Sequence, residues 1–299
     1  MSFQERSGVA LPKAPSEWTV LALLRWTTGF FQERGIDSAR LDAECLLAEA
    51  LGCDRISLYV EFEKPVMASE RDRFRELVRR RAGDRVPVAQ LLGRREFWSL
   101  DFEVTPDVLT PRPETEILVA LAIDRLTDAE PGSRVLDVGT GSGCVAVAVA
   151  SELPGVQVVA TDVSEAALEV ARRNIAALDL GDRVQVRAGS LFEPVAGESF
   201  DCILSNPPYI ARGEAGGLPP ELSHEPELAL FAGEDGLDVI RALLGQAWNH
   251  LNPGGQIAVE IDPRQEGAVR ELFEGSGLSN LRSLRDLSDC PRVVTGARA

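Results

Sequence analysis

The chain has 299 residues, 31 Lys plus Arg against 47 Asp plus Glu, a net charge of −16, and 44 % hydrophobic and 26 % charged content. This composition suits a globular protein of roughly two domains. It lacks the run of about 18 apolar residues that a membrane span needs, shows no charged-then-apolar leader in MSFQERSGVA, and is too acidic to wrap nucleic acid.

Residues 1–90 hold 14 basic and 14 acidic side chains, and the remainder holds 17 and 33, so the acidic excess lies wholly after residue 90. That shift predicts a domain boundary there. The first ninety residues read as short helices in a small bundle. Ser16 is placed to cap a helix over 17–33, with Gly35 as its stop. Asp37 or Ser38 starts the next, with Leu41, Leu46, Leu47, Ala50 and Leu51 as its apolar stripe and Gly52 as its end. Asp54 caps a short helix through Leu58, and Ser69 precedes an arginine-rich helix that Gly83 ends. Pro87 opens a further turn through Leu92. Arg71, Arg73, Arg75, Arg79, Arg80, Arg81 and Arg85 crowd one segment. They form either a solvated helix face or a patch toward an acidic macromolecule.

Residues 94–110 alternate loosely around Phe97, Trp98, Leu100, Phe102 and Val104, which suggests a β-hairpin or extended bridge. Pro113 then suits the first position of a helix running to Leu126. From residue 134 strands and helices alternate. Strands are expected at 134–138, 156–161, 183–188, 201–205, 255–261, 280–286 and 291–296. Helices are expected at 142–151, 164–178, 236–250 and 264–276. The pattern implies a largely parallel sheet covered on both faces. Only His224 and His250 are present, which argues against a zinc site or a histidine triad. The five cysteines are odd in number and none has CxxC spacing, which argues for reduced thiols in a cytoplasm.

Three elements carry chemistry. Asp137-Val138-Gly139-Thr140-Gly141-Ser142-Gly143 follows a strand and opens a helix, where glycines let the backbone turn and approach a ligand. GxGxG after an acid favours an adenosyl cofactor without a pyrophosphate. Asp162 ends the next strand, placed to accept both hydroxyls of a ribose. Asn206-Pro207-Pro208-Tyr209 follows the strand at 201–205, on the same sheet edge. An amino group conjugated to a carbonyl or ring is a poor nucleophile. The Asn206 carboxamide oxygen and the Pro207 carbonyl can each accept one of its N–H groups, held by a rigid Pro-Pro unit. Tyr209 can pack against the planar group or a cationic methyl donor.

Together these mark class I S-adenosylmethionine-dependent amino methyltransferases. The stretch Gln90–Phe97 resembles the GxxEF segment of the HemK family, the peptide-chain release factor glutamine methyltransferases. Thr110-Pro111-Arg112-Pro113-Glu114-Thr115-Glu116 resembles that family's PRPxTE segment. Glu225-Pro226, Ala229-Leu230, Gly233, Asp235-Gly236-Leu237 and Arg292-Val293-Val294 are similar too. The resemblance implies an α/β fold. A seven-stranded Rossmann-like class I methyltransferase domain over 111–299 would be preceded by an all-α bundle over 1–90 that recognises release factors. A β-hairpin linker over 91–110 would join them. It implies N5-methylation of the glutamine in the Gly-Gly-Gln loop of class 1 release factors, with no stable nucleic-acid or membrane partner. Asp137, Gly139, Thr140, Gly141, Ser142, Gly143, Asp162, Leu191 and Asn206 would border S-adenosylmethionine, Leu191 beside the adenine. Asn206, Pro207, Pro208 and Tyr209 would hold the glutamine. Ser190 stands where the family often has an acid, and Asp262 where it usually has Gly.

Two rivals remain at this level. A nucleic-acid amino methyltransferase shares the glycine loop and NPPY, but the expected catalytic part carries all of the −16. A non-catalytic scaffold need not keep Asp162 and Asn206–Tyr209.

Overall fold

The computed structural model describes residues 18–299, and Ser16 lies outside them. The chain divides into two compact units, the first ending at Leu92 and the second spanning Gly93–Ala299.

The first unit contains α1 (Val20–Gln32), α2 (Ala39–Leu51), α3 (Arg55–Val60), α4 (Ala68–Gly83) and α5 (Val88–Leu92). Thr19 caps α1, its hydroxyl accepting the Ala22 N–H at 3.3 Å. Leu24, Phe30, Phe31, Leu46, Leu47, Leu58 and Phe74 share one core. Two expectations change. Leu41 faces outward at 45 % exposure, because α2 turns Ala39, Ala43, Leu46, Leu47 and Ala50 inward. α4 begins at Ala68, before Ser69, because the Glu70 carboxylate reaches back to accept the Met67 N–H at 2.8 Å.

The arginine run is largely turned inward or onto neighbours. Arg81 is buried and donates to Asp42 at 2.7 Å. Arg75 pairs with Asp72, Arg79 with Glu76 and Asp84, and Arg71 donates to the Val66 carbonyl. Arg85 donates to the Arg34 carbonyl. Arg73 and Arg80 are exposed.

The second unit opens with β1 (Arg94–Phe97) and β2 (Leu100–Glu103), an antiparallel pair turning on Trp98 and Ser99, both at positive φ. Phe97 and Phe102 belong to this unit's core. Pro113–Thr115 forms one 3-10 turn ahead of α6 (Glu116–Leu126), so Pro113 opens a tighter turn than the α-helix expected. Then follow β3 (Arg134–Val138), α7 (Cys144–Glu152), β4 (Gln157–Asp162), α8 (Glu165–Ala177), β5 (Val184–Ala188) and β6 (Phe200–Ser205). α9 (Asp238–Ala247), β7 (Leu251–Glu260), α10 (Glu266–Gly275), β8 (Ser279–Arg285) and β9 (Pro291–Ala297) complete it.

The seven strands run in the order β5-β4-β3-β6-β7-β9-β8, all parallel except β9. This is the seven-stranded sheet expected from the alternation. β7 starts at Leu251, earlier than the alternation suggests. Its pairing with β6 jumps from Leu251 opposite Phe200 to Gln256 opposite Cys202, so the intervening Asn-Pro-Gly-Gly bulges out. Strand order reverses between β3 and β6, the place where open α/β sheets bind ligands beyond their carboxyl ends.

Candidate active site

A cavity of about 550 Å³ opens beyond the carboxyl ends of β3, β4 and β6, a volume suited to a cofactor-sized ligand. It brings together Asp137, Gly139, Thr140, Gly141, Ser142, Asp162, Leu191, Asn206, Pro207 and Pro208, while Gly143 lies outside its lining.

The floor is the loop after β3. Gly139, Gly141 and Gly143 have φ of +74°, +54° and +81°, a left-handed course that a side chain strains. A Cβ on Gly143 would also sit 3.2 Å from that of Ala171 in α8. The Gly139 and Thr140 N–H groups both donate to the Thr161 carbonyl, at 2.8 and 2.9 Å, tying the loop to the end of β4. Ser142 is buried, and its carbonyl accepts from Asn174 at 2.8 Å.

Two carboxylates lie in this floor. Asp137 is buried and accepts from the Thr140 hydroxyl at 2.6 Å and the Ala146 N–H at 3.2 Å. Burial pushes it up to about 6, those two donors pull it back, and the nearby Asp162 charge adds to the rise. Asp162 accepts the Gly141 N–H on one oxygen and the Ser164 N–H on the other, each at 2.9 Å. Burial raises it against the pull of these donors. Each oxygen keeps a second lone pair for a ligand hydroxyl. The Cys144 thiol also lines the cavity, but burial pushes it to about 12, which leaves it un-ionised and inert as a nucleophile.

The wall is the loop after β6. The Ser205 hydroxyl donates to the Val138 carbonyl at 2.8 Å, joining this loop to β3. Asn206 Nδ2 donates to Thr115 Oγ1 at 3.1 Å, so its Oδ1 is the atom left to accept from a ligand. The Tyr209 carbonyl accepts from Gln265 Nε2 at 3.0 Å, and Gly236 packs so close that a Cβ there would stand 2.2 Å from that oxygen. That contact explains glycine at position 236. Tyr209 itself lies outside the cavity lining. Its hydroxyl is pushed up to about 12 by burial, with the Glu260 charge adding to the rise.

Leu191, in the lining, holds φ +48°. Ser190 is exposed, and its N–H donates to Glu193 at 3.2 Å. Asp262 has an ordinary φ of −67° and accepts the Arg264 N–H, so the turn there has no need of glycine.

Three side chains outside the sequence-derived set take part. Arg112 lines the cavity and pairs at 2.6 Å with buried Glu225, which also accepts the Thr110 N–H; this pins the loop at 211–234 to the segment before α6. Thr115, also in the lining, is buried behind Asn206. Glu260, at the end of β7, is 3 % exposed, and its Oε2 is buried with no hydrogen-bond partner. Their motif neighbours are visible in the sequence, but the contact of Thr115 with Asn206 spans 91 residues and no local pattern signals it.

Among the described residues, no group of His, Cys, Asp and Glu is arranged to hold a metal, and no helix is long and apolar enough to cross a membrane.

Residues 22–93 match the family described as PrmC N-terminal domain, and residues 115–217 match the Methyltransferase small domain. The release factor glutamine methyltransferase of Rhodopirellula baltica is 46 % identical over 94 % of this chain and 97 % of its own. That of Geobacter sulfurreducens is 44 % identical over 96 % and 99 %. Among solved structures, a methyltransferase from Pyrococcus furiosus is 25 % identical with a TM-score of 0.50, covering 67 % of this chain and 89 % of that one. The T. thermophilus 16S rRNA N2 G1207 methyltransferase, at 21 % identity and TM-score 0.52, covers 69 % and 50 % and shares the fold.

Proposed function

The chain belongs to the release factor glutamine methyltransferases, and from that premise we propose that it transfers a methyl group from S-adenosylmethionine to N5 of the glutamine in the Gly-Gly-Gln loop of class 1 release factors. One observation carries the reading at the atomic level: Asn206 Nδ2 is engaged by Thr115, so Oδ1 stands ready to accept an amide N–H. The Pro207 carbonyl supplies a second acceptor on the same wall.

The residues present fit the cofactor. The glycine loop admits a ligand against its backbone, Asp162 retains lone pairs for two ribose hydroxyls, and Leu191 offers an apolar face to the adenine. Buried Asp137 lacks a cationic partner and suits a positively charged ligand. When bound, S-adenosylmethionine supplies a sulfonium-activated methyl group. Asn206 and Pro207 hold the amide nitrogen by both hydrogens and fix its direction of approach. Their oxygens face the positive charge that develops on that nitrogen, which lowers the barrier without a strong base. Pro208 walls the slot, and Tyr209 backs it from outside the cavity.

A release factor is far larger than its glutamine loop, and the helical unit is proposed as the second contact. Arg73, Arg75, Arg79 and Arg80 are the exposed members of the arginine run, and of these Arg75 and Arg79 pair with carboxylates of the same helix.

Incubation with labelled cofactor tests the substrate. The label is expected on a release factor and absent from a Gln→Ala loop variant, DNA and RNA. Label on nucleic acid, or on the loop variant, overturns the reading.

A further inference from the structure

The glycine loop is fastened at its start by β4. The Gly139 and Thr140 N–H groups donate to the Thr161 carbonyl, and the Gly141 N–H donates to Asp162. Its far end is fastened by α8. A Cβ on Gly143 would stand 3.2 Å from that of Ala171. Asn174 lies one turn further along the same face of α8. Its Nδ2 donates to the Ser142 carbonyl at 2.8 Å.

Asn174 is 3 % exposed and lies outside the cavity lining. Its Nδ2 also donates to the Glu103 carbonyl at 3.2 Å, and its Oδ1 accepts the Glu103 N–H at 2.7 Å. Glu103 ends β2, one strand of a two-stranded sheet, and the amide meets its backbone as a neighbouring strand would. Both Nδ2 hydrogens are thereby spent. Turned over, the amide would set Oδ1 against two carbonyl oxygens and its NH₂ against an N–H, so a single rotation fits.

The two bonds to Glu103 serve the hairpin, which the exposed Arg173–Glu103 pair also joins to α8. The bond to Ser142 serves the loop. The Ser142 carbonyl shares one rigid peptide plane with the Gly143 N–H. That N–H donates to the Thr140 carbonyl at 2.9 Å, and the plane leads into Gly143 at φ +81°. Holding the carbonyl therefore holds the course of the loop, and Ser142 itself lines the cavity.

We propose that Asn174 is a positioning residue for the cofactor, which from behind the cavity fixes the Ser142–Gly143 peptide plane and with it the ligand-accepting course of the glycine loop. The proposal rests on that loop being where S-adenosylmethionine binds.

The test compares wild type with Asn174→Asp, Asn174→Ala, Arg173→Ala, Ile175→Ala and Asp162→Ala. Titration calorimetry gives the Kd for S-adenosylhomocysteine, and kcat at saturating cofactor and the thermal midpoint are read beside it. Asn174→Asp keeps the shape and the acceptor for Glu103 but sets an oxygen against two carbonyls. Its Kd is expected to rise about tenfold or more, as is that of Asn174→Ala, the worth of a buried acceptor left unpaired. At saturation kcat should stay within about threefold, since ground state and transition state lose the same hold. Ile175, the next residue of α8, is buried in the core and lies outside the lining. Ile175→Ala should lower the midpoint and leave Kd within about twofold, as should Arg173→Ala, whose pair is exposed. Hydrogen exchange on the cofactor-free protein adds a reading without ligand: the Gly143 amide should lose protection in Asn174→Asp and keep it in Ile175→Ala.

A Kd within about twofold of wild type in both Asn174 variants overturns the proposal. So does an equal rise in Ile175→Ala, which would reduce Asn174 to a stabilising contact. Should neither Asn174 variant fold, wild type still decides. Its Asn174 side-chain N–H signals should shift on titration with S-adenosylhomocysteine, and signals that stay in place contradict the proposal. An unchanged Kd in Asp162→Ala would instead undo the reading beneath it; a weakened Asp162→Ala beside a tight Asn174→Asp sinks the positioning role alone.

Discussion

Among the described residues the helical unit buries two carboxylates, Asp42 and Glu44, and each meets arginine: Asp42 lies 2.7 Å from Arg81, while Glu44 accepts from Arg40, Arg55 and Tyr59. In the second unit Glu225 is likewise paired with Arg112, whereas Asp137 meets only a hydroxyl and a backbone N–H and Glu260 Oε2 meets no hydrogen-bond partner. The consequence is opposite in sign. Burial works against the Glu44 charge, but the donors on Tyr59, Arg55 and Arg40 hold it below the usual carboxylate range. Burial dominates at Asp137 and Glu260, which rise to about 6 and about 7. A buried carboxylate with its counter-charge built in is structural. One without it marks a place that a ligand completes.

That contrast can be broken by mutation. Arg81→Ala leaves Asp42 buried and unpaired, and is expected to cost about 3–5 kcal/mol of stability. Chemical denaturation measures it, and methylation of a Gly-Gly-Gln peptide by the folded fraction should be unchanged. Replacing both partners with apolar residues should recover most of the loss; failure to recover would mean that the pair does more than satisfy itself.

Asp162→Ala tests the other side. Removing a charged acceptor of ribose hydroxyls is expected to weaken cofactor binding by about 10–100-fold, the worth of hydrogen bonds to a charged group. Titration calorimetry reads this, and unchanged affinity would deny the ribose role.

The pH responses should also diverge. Asp137 and Glu260 hold their protons longer folded than unfolded. Their contribution to stability is therefore whole below the usual carboxylate range and is lost as pH rises through about 6 and about 7. Glu44 behaves in reverse: its contribution stands above the usual range and is lost as pH falls through its depressed value. Hydrogen exchange on the cofactor-free protein resolves the units. From about pH 5 to 8 the second unit should loosen by at most a few kcal/mol while the first holds. Loosening of both together would contradict the contrast.

The smallest effect concerns the surface. Arg73→Glu with Arg80→Glu should raise KM for a whole release factor severalfold, in a salt-dependent way, and leave KM for a loop peptide alone. Equal effects on both would count against docking through the helical unit.

The catalytic unit was more legible than its supporting contacts. Strand, glycine turn and helix follow one another locally, so the floor around Gly139–Gly143 and the carboxylate of Asp162 can be read from spacing. The NPPY loop is legible for the same reason, since it directly follows a strand. Thr115 is another matter. Its contact with Asn206 arises only once the sheet is assembled, and a threonine has no spacing of its own to betray it. In the helical unit the run of arginines suggests one charged face, yet Arg81 points inward because Asp42, 39 residues away, waits there. Leu41 misleads for a related reason. An apolar residue fits a helical stripe by count, but partner helices decide which stripe is covered.

Asn206→Ala is the most direct measurement of the central claim, that the wall beyond β6 orients a glutamine amide while the floor beyond β3 and β4 holds the cofactor. Transfer of labelled methyl to a release factor should fall by about 10²-fold or more, with cofactor affinity within a few-fold of wild type. An Asn206→Ala enzyme that methylates at the wild-type rate would contradict it.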